Sequence, residues 1–177
     1  MHPPHTVFLA SVTAEEQGLL GSQYLGMHPP IPAGQIALDL NYDMLNPIGV
    51  PLDAEVGGAE RTTFYPVVER TAKAFHLTIQ PDQFPMAGHY YRSDHFSFAR
   101  VGIPAFSIGQ GTLFEGHDEA WGVAQAKDYN EHRYHQPSDQ YKPEMDFRGQ
   151  CQDGAVRFHS RMGSDEREGR DRLAGRR

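Results

Sequence analysis

The sequence predicts an α/β fold: a mainly parallel, mixed sheet with flanking helices. Three observations lead there. Apolar runs of strand length alternate with segments of helical periodicity, the order expected of strand–helix–strand units. Several runs are continuously apolar, as in strands buried on both faces. Three of them end at or just before polar clusters, where an α/β sheet places its ligands. A chain of 177 residues suits one domain with a real core. We assign residues 1–162 to that domain and 163–177 to a charged, disordered tail without a core-forming pattern.

Met1 to His5 holds two prolines and reads as an irregular lead-in. Thr6 to Val12 is the first strand expected to be buried on both faces. Glu16 to Gly26 is the first helix, with Leu19, Leu20 and Tyr24 as its apolar face. Prolines 29, 30 and 32 with Gly34 end it. Gln35 to Tyr42 is a second strand, followed by Asp43. Asn46 to Glu60, broken by Pro47, Gly49, Pro51, Gly57 and Gly58, reads as loop. A helix follows over 61–75, with Phe64, Val67, Val68, Ala72 and Phe75 inward, then a short strand over 77–79. Ser93 is placed to cap a helix that runs to Arg100 and stops at Gly102. Residues 103–108 form another buried strand. Gly109 to Gln140, rich in His, Asp and Glu, reads as a long functional loop, and a final helix runs from Pro143 to about Met162.

Composition narrows the function. The formal net charge is −7. Residues 157–177 hold seven Arg against four acids, which leaves the body with nine basic and nineteen acidic residues, close to −10. An acidic body argues against nucleic acid as a partner and is compatible with cation binding. One cysteine, Cys151, excludes an internal disulfide and reads as a small buried residue. No apolar stretch approaches the length of a membrane span, and no basic residue precedes the short apolar run of residues 8–14 as a signal peptide requires. Compartment and oligomeric state are left open.

The chemistry gathers around Glu15-Glu16. Neighbouring strand residues point to opposite faces, so two adjacent carboxylates can serve one site only where the strand stops and the chain turns. The ordinary alternative is a solvated acidic pair in a helix's first turn. Asp39, Asn41 and Asp43 share one face of their strand. Asp43, at the carboxyl end, is the ligand candidate and Asp39 the structural one; the alternative for Asp43 is a turn-forming aspartate. His135 lies between Tyr134 and a proline turn, and His117 and His132 compete with it on composition alone. Asp94 and His95 follow Ser93 in a third polar cluster, a helix cap or a substrate wall. Glu, Asp and His are the donors of hydrolytic zinc sites. A glutamate beside a ligand glutamate can carry the proton that metal-assisted hydrolysis has to move.

With these residues the chain resembles the di-zinc aminopeptidases of metallopeptidase family twenty-eight. The matching stretches are 13–22 (Thr13-Ala14-Glu15-Glu16 and onward), Asn41-Tyr42-Asp43-Met44, Ser93-Asp94-His95-Phe96 with Gly102-Ile103-Pro104-Ala105, and Tyr134-His135-Gln136-Pro137-Ser138-Asp139. They occur in family order across roughly residues 6 to 147. The resemblance implies a zinc-exopeptidase-like three-layer sandwich and peptide substrates cleaved at the N-terminal bond. It implies two Zn2+ ions, Glu15 as general base and acid, and Tyr134 steadying the oxyanion. Glu16 and His135 would bind one zinc and Asp43 the other, with Asp94 and His95 near the substrate. It also implies a His-x-Asp motif and a bridging Asp upstream of the Glu-Glu pair. Here only His2 and His5 precede the pair, with no aspartate. The expectation is therefore an N-terminally incomplete copy of the catalytic domain, with three of five implied ligands and weak zinc binding on its own. Full-length members are often exported. The alternatives are a non-catalytic remnant serving as a binding module, and a same-fold zinc carboxypeptidase or glutaminyl cyclase.

Overall fold

The computed structural model describes residues 6–43, 46–81, 86, 88–150 and 152. Among these residues the sheet has four strands: β1 (Asp39–Asn41), β2 (Asp53–Gly57), β3 (Thr78–Gln80) and β4 (Ala105–Gln110). Their spatial order is β1-β4-β2-β3. β1 runs parallel to β4 and β3 parallel to β2, while β2 and β4 are antiparallel. The sheet is mixed, as expected.

Each face has its own cover. Phe106 and Ile108 of β4 and Ala54 of β2 point to one face and pack with Val68 and Ala59. That cover is α2 (Tyr65–Ala74), whose buried residues Val67, Val68 and Ala72 lie on one side of the helix, as the periodicity predicts. Each fully buried side chain of this size contributes about 1.5–3 kcal/mol. Ala105 points to the other face and packs with Phe98 and Ile103, flanked by Leu25 and Ile36. There α3 (His95–Arg100) lies on the sheet, and α1 (Leu20–Met27) lies on α3, joined by a Ser22 Oγ to Ser97 Oγ hydrogen bond of 2.9 Å. Helix, sheet and helix thus form three layers.

Several expectations are corrected. Residues 6–12 are not in the sheet: they form no strand, and Leu9 is 96% exposed. A strand buried on both faces requires a ladder partner and cover on each side, and the described residues supply neither. The first helix begins at Leu20, not Glu16, because the chain turns tightly over 14–19, with Gly18 and Leu19 donating to Glu15 O at 2.9 Å. Leu20 and Tyr24 are exposed; Ser22 and Gly26 are the buried positions. The Gly- and Pro-rich stretch 46–60 contains β2, with Asp53 and Glu55 on one face and Ala54 and Val56 on the other. Its alternation is the signal that the glycines and prolines obscured.

The long loop contains α4 (Glu119–His132), capped where Asp118 Oδ1 accepts the Trp121 N–H at 2.8 Å. Only Gly122 and Tyr129 of α4 are buried, so it has no apolar stripe to read. Residues 148–150 and 152 are helical. The rest of the expected final helix, Cys151, the lead-in and the tail lie outside the described residues. Among the described residues, no helix is long and apolar enough to cross a membrane.

Candidate active site

Glu15 and Glu16 sit in the turn between residue 12 and α1, and two features shape it. Ala14 adopts φ 57°, a left-handed conformation that costs a non-glycine residue roughly 1–2 kcal/mol. Gly21 allows the turn to close: a Cβ there would lie 2.4 Å from Thr13 O and 2.5 Å from Thr13 N. The pair is therefore held by the backbone, ahead of the helix rather than in its first turn.

His135 comes from the turn after α4, also left-handed at φ 58°. Its Nε2 lies 2.8 Å from Glu16 Oε1. Its ring stacks on Tyr134, with centroids 3.8 Å apart. Both members of the Glu16–His135 pair are about half exposed, so their contact adds little stability, about 0–1 kcal/mol. The competing histidines are placed elsewhere. His117 stacks on Trp121 at 3.7 Å, and His132 pairs with Asp128 at 3.3 Å. Neither lines the cleft described next.

Glu15, Glu16, Asp43, Tyr134 and His135 line one open cleft of about 1050 Å³. That is ample for a short peptide. The Glu15 carboxyl is held above its ordinary range, first by burial, then by the charges of Glu16, Asp43 and Asp94, with His135 opposing. Such a carboxyl gives up and recovers a proton nearer neutrality than a free glutamate does. The Tyr134 phenol is raised too, by burial and by Glu16, against the pull of Arg92. It stays protonated and able to donate a hydrogen bond.

Sequence reasoning gave Ser93 a capping role. The residue preceding α3 is Asp94, which makes no side-chain cap bond. Ser93 Oγ instead accepts from Asn41 Nδ2 at 2.7 Å and donates to Asp43 Oδ2 at 3.3 Å. Asn41 and Ser93 thereby orient the Asp43 carboxylate. The matching residues were in view, but a bond across 50 residues leaves no local pattern.

Asp94 and His95 do not line the cleft. His95 is 1% exposed, against the Tyr90 ring at 5.0 Å. Neither of its ring nitrogens has a hydrogen-bond partner among the described residues, and the same holds for Asp94 Oδ1 and Asp39 Oδ2. Burial lowers the His95 pKa to about 4 and raises that of Asp39 to about 7, with Asp94 adding to the latter. In place of the expected substrate wall, His95 is buried and Asp94 half-buried, each with a polar atom turned inward.

The donor types suit zinc: two carboxylates and one imidazole nitrogen. Their placement does not. Among the described residues, no group of three His, Cys, Asp or Glu side chains is placed to hold a metal ion, and a catalytic zinc takes three protein ligands.

Comparison with known proteins gives the class. Residues 1–158 match the model of Peptidase family M28, and the chain belongs to that family. Among solved structures it is similar to BSAP, a zinc aminopeptidase from Bacillus subtilis, at 17% identity and a TM-score of 0.47. That match covers 88% of this chain and 34% of the other, so the chain spans about a third of that protein's length. No curated protein matches the chain.

Proposed function

We propose that this chain carries the proton-transfer and part of the metal-binding machinery of a zinc-dependent aminopeptidase. The observation that carries the reading is the convergence of Glu15, with its raised pKa, on the Glu16–His135 pair and Asp43 in one peptide-sized cleft. In this reading Glu16, His135 and Asp43 contribute zinc donors, completed by donors beyond the described residues. Bound zinc would supply Lewis acidity toward the peptide carbonyl and toward water. Glu15 accepts the proton of the attacking water and passes it to the leaving amine. Tyr134, kept protonated, donates to the oxygen on which negative charge develops. Asp94 and His95 support the site from below rather than touching substrate. The N-terminal bond is the proposed target because the family resemblance points to it.

The test uses zinc-loaded full-length protein with free and N-acetylated aminoacyl-anilides. Only the free-amine substrates should be cleaved. Glu15→Gln should lower turnover about a hundred- to ten-thousandfold with zinc content unchanged. Undiminished turnover in that variant, or cleavage of blocked substrates, would refute the assignment. The lack of a three-donor group among the described residues favours a second reading, a peptide-binding module without hydrolysis. Binding of free-amine ligands with no turnover in the zinc-loaded protein would establish it instead.

A further inference from the structure

We propose that the groove between α1 and α3 carries the peptide beyond the scissile bond, and that Arg100 selects substrates with a carboxylate two residues past that bond. The inference rests on the aminopeptidase reading for what enters the cleft. It goes beyond that reading in naming where the rest of the peptide lies and which charge it carries.

The groove follows from how the two helices pack. Ser22 of α1 bonds to Ser97 of α3. One turn further along α1, a Cβ at Gly26 would lie 3.1 Å from Ser97 O and 3.7 Å from Val101 Cγ2. Position 22 thus meets 97, and position 26 meets 97 and 101, so the helices run side by side in the same direction. Leu19 and Gln23 line the cleft along α1, and Ser93, Phe96 and Arg100 along α3. Each set is spaced three or four residues apart, as one helix face is. Both start at the site: the Leu19 N–H donates to Glu15 O at 2.9 Å, and Ser93 donates to Asp43. Both lead away from it.

The length of the groove fixes where a charge can be met. Arg100 stands roughly 10 Å beyond Ser93 along α3. Its guanidinium turns back over the Phe96 ring, 6.0 Å from the centroid. It therefore lies between the levels of residues 96 and 100, roughly 5–10 Å from that of Ser93. An extended peptide advances about 3.3–3.6 Å per residue. A carboxylate two residues past a carbonyl held at Glu15 and Asp43 falls within that span. The ring contact uses the flat face of the guanidinium and leaves its N–H edge for a carboxylate.

Charge sets the direction in which the peptide lies. Its N-terminal amine is drawn to acids, and none of the carboxylates that line the cleft belongs to α1 or α3. The two helices instead bring Gln23 and Arg100. Arg92, the other arginine of the cleft, acts on Tyr134. Among the described residues no carboxylate forms an ion pair with Arg100. A guanidinium in that position favours an anion and penalises a second cation.

The test is calorimetric titration of the full chain with trialanine, trialanine amide and alanyl-alanyl-aspartate α-amide, beside hydrolysis of the same peptides by zinc-loaded protein. A peptide that brings a carboxylate should bind about three- to tenfold more tightly than trialanine amide. Preference for trialanine assigns the C-terminal carboxylate of a short peptide; preference for the aspartate amide assigns an acidic side chain. Arg100→Gln should erase the preference and Arg100→Lys should keep part of it. The wild-type ranking alone decides if these variants do not fold. Equal binding of the three peptides, no measurable binding, or a preference that survives in Arg100→Gln would overturn the proposal. Absent hydrolysis with the carboxylate preference intact would sink the peptidase reading and leave this one standing. Hydrolysis without preference would do the reverse.

Discussion

Asp39→Asn should change how stability depends on pH, in a direction and amount fixed by the structure. Burial and the nearby Asp94 raise the Asp39 pKa from the ordinary 3.8 to about 7. The folded state therefore holds this proton more tightly than the unfolded chain does. As pH rises past about 4 the unfolded chain releases it first, and stability falls until the folded state also ionises near pH 7. Each pKa unit corresponds to about 1.4 kcal/mol, so the full loss approaches ~4 kcal/mol, large beside a typical total of about 5–15 kcal/mol. The substituted amide has no proton to lose. Between pH 5 and 8 the stability difference between variant and wild type should therefore shift by ~3 kcal/mol in the variant's favour. With a urea dependence of about 1–3 kcal/mol/M, the relative midpoint should move by about 1 M or more. Any constant cost of inserting the amide cancels, because only the change with pH is read. Titrating groups that do not interact with Asp39 cancel as well, since both proteins carry them unchanged. A difference that stays flat from pH 5 to 8, or moves against the variant, would refute the buried-carboxyl account.

Three further outcomes are expected. His95, buried with a pKa lowered to about 4, resists protonation in the fold, so its contribution is complete above about pH 6.5 and declines as pH falls toward 4; His95→Gln should flatten that acid-side decline in urea titrations. His135→Ala should reduce zinc bound at equilibrium by about tenfold or more, while His117→Ala and His132→Ala should leave it unchanged; the opposite ranking by metal analysis would remove His135 from the donor set. Gly21→Ala would drive a methyl group into the Thr13 backbone, costing about 1–3 kcal/mol and displacing the Glu15–Glu16 turn; thermal melting checks the first effect and loss of turnover the second, and an unaltered variant would show that Gly21 does not hold the turn.

The sequence was sufficient for those features whose cause is local. The α/β class followed from the alternation of apolar runs and helical periodicity. The inner face of α2 was visible because Val67, Val68 and Ala72 recur at helical spacing and are all buried. Asp43 could be ranked above Asp39 because it lies at the carboxyl end of its strand, and the structure places Asp43, not Asp39, on the cleft. The pairing of Glu15 and Glu16 just ahead of a helix marked where to look, since only a turn lets adjacent carboxylates share a site.

Tertiary structure decided whatever depends on a partner distant in sequence. The apolar run of residues 6–12 has a strand's composition, but strand formation requires a ladder, and none of the described residues provides one. β2 exists because β3 and β4 pair with its two edges, which outweighs the glycines and prolines around it. α4 depends on its Asp118 cap and its helix-forming residues rather than on an apolar stripe. His135 stands apart from His117 and His132 only through a backbone turn that carries it to Glu16, far back in the chain. His95 reads as polar and accessible, yet the packing of α3 on the sheet buries it and leaves Asp94 half-buried beside it. Composition sets what a residue can do; which charge, cavity or strand it meets is set by packing, and that governs pKa, burial and access to the cleft.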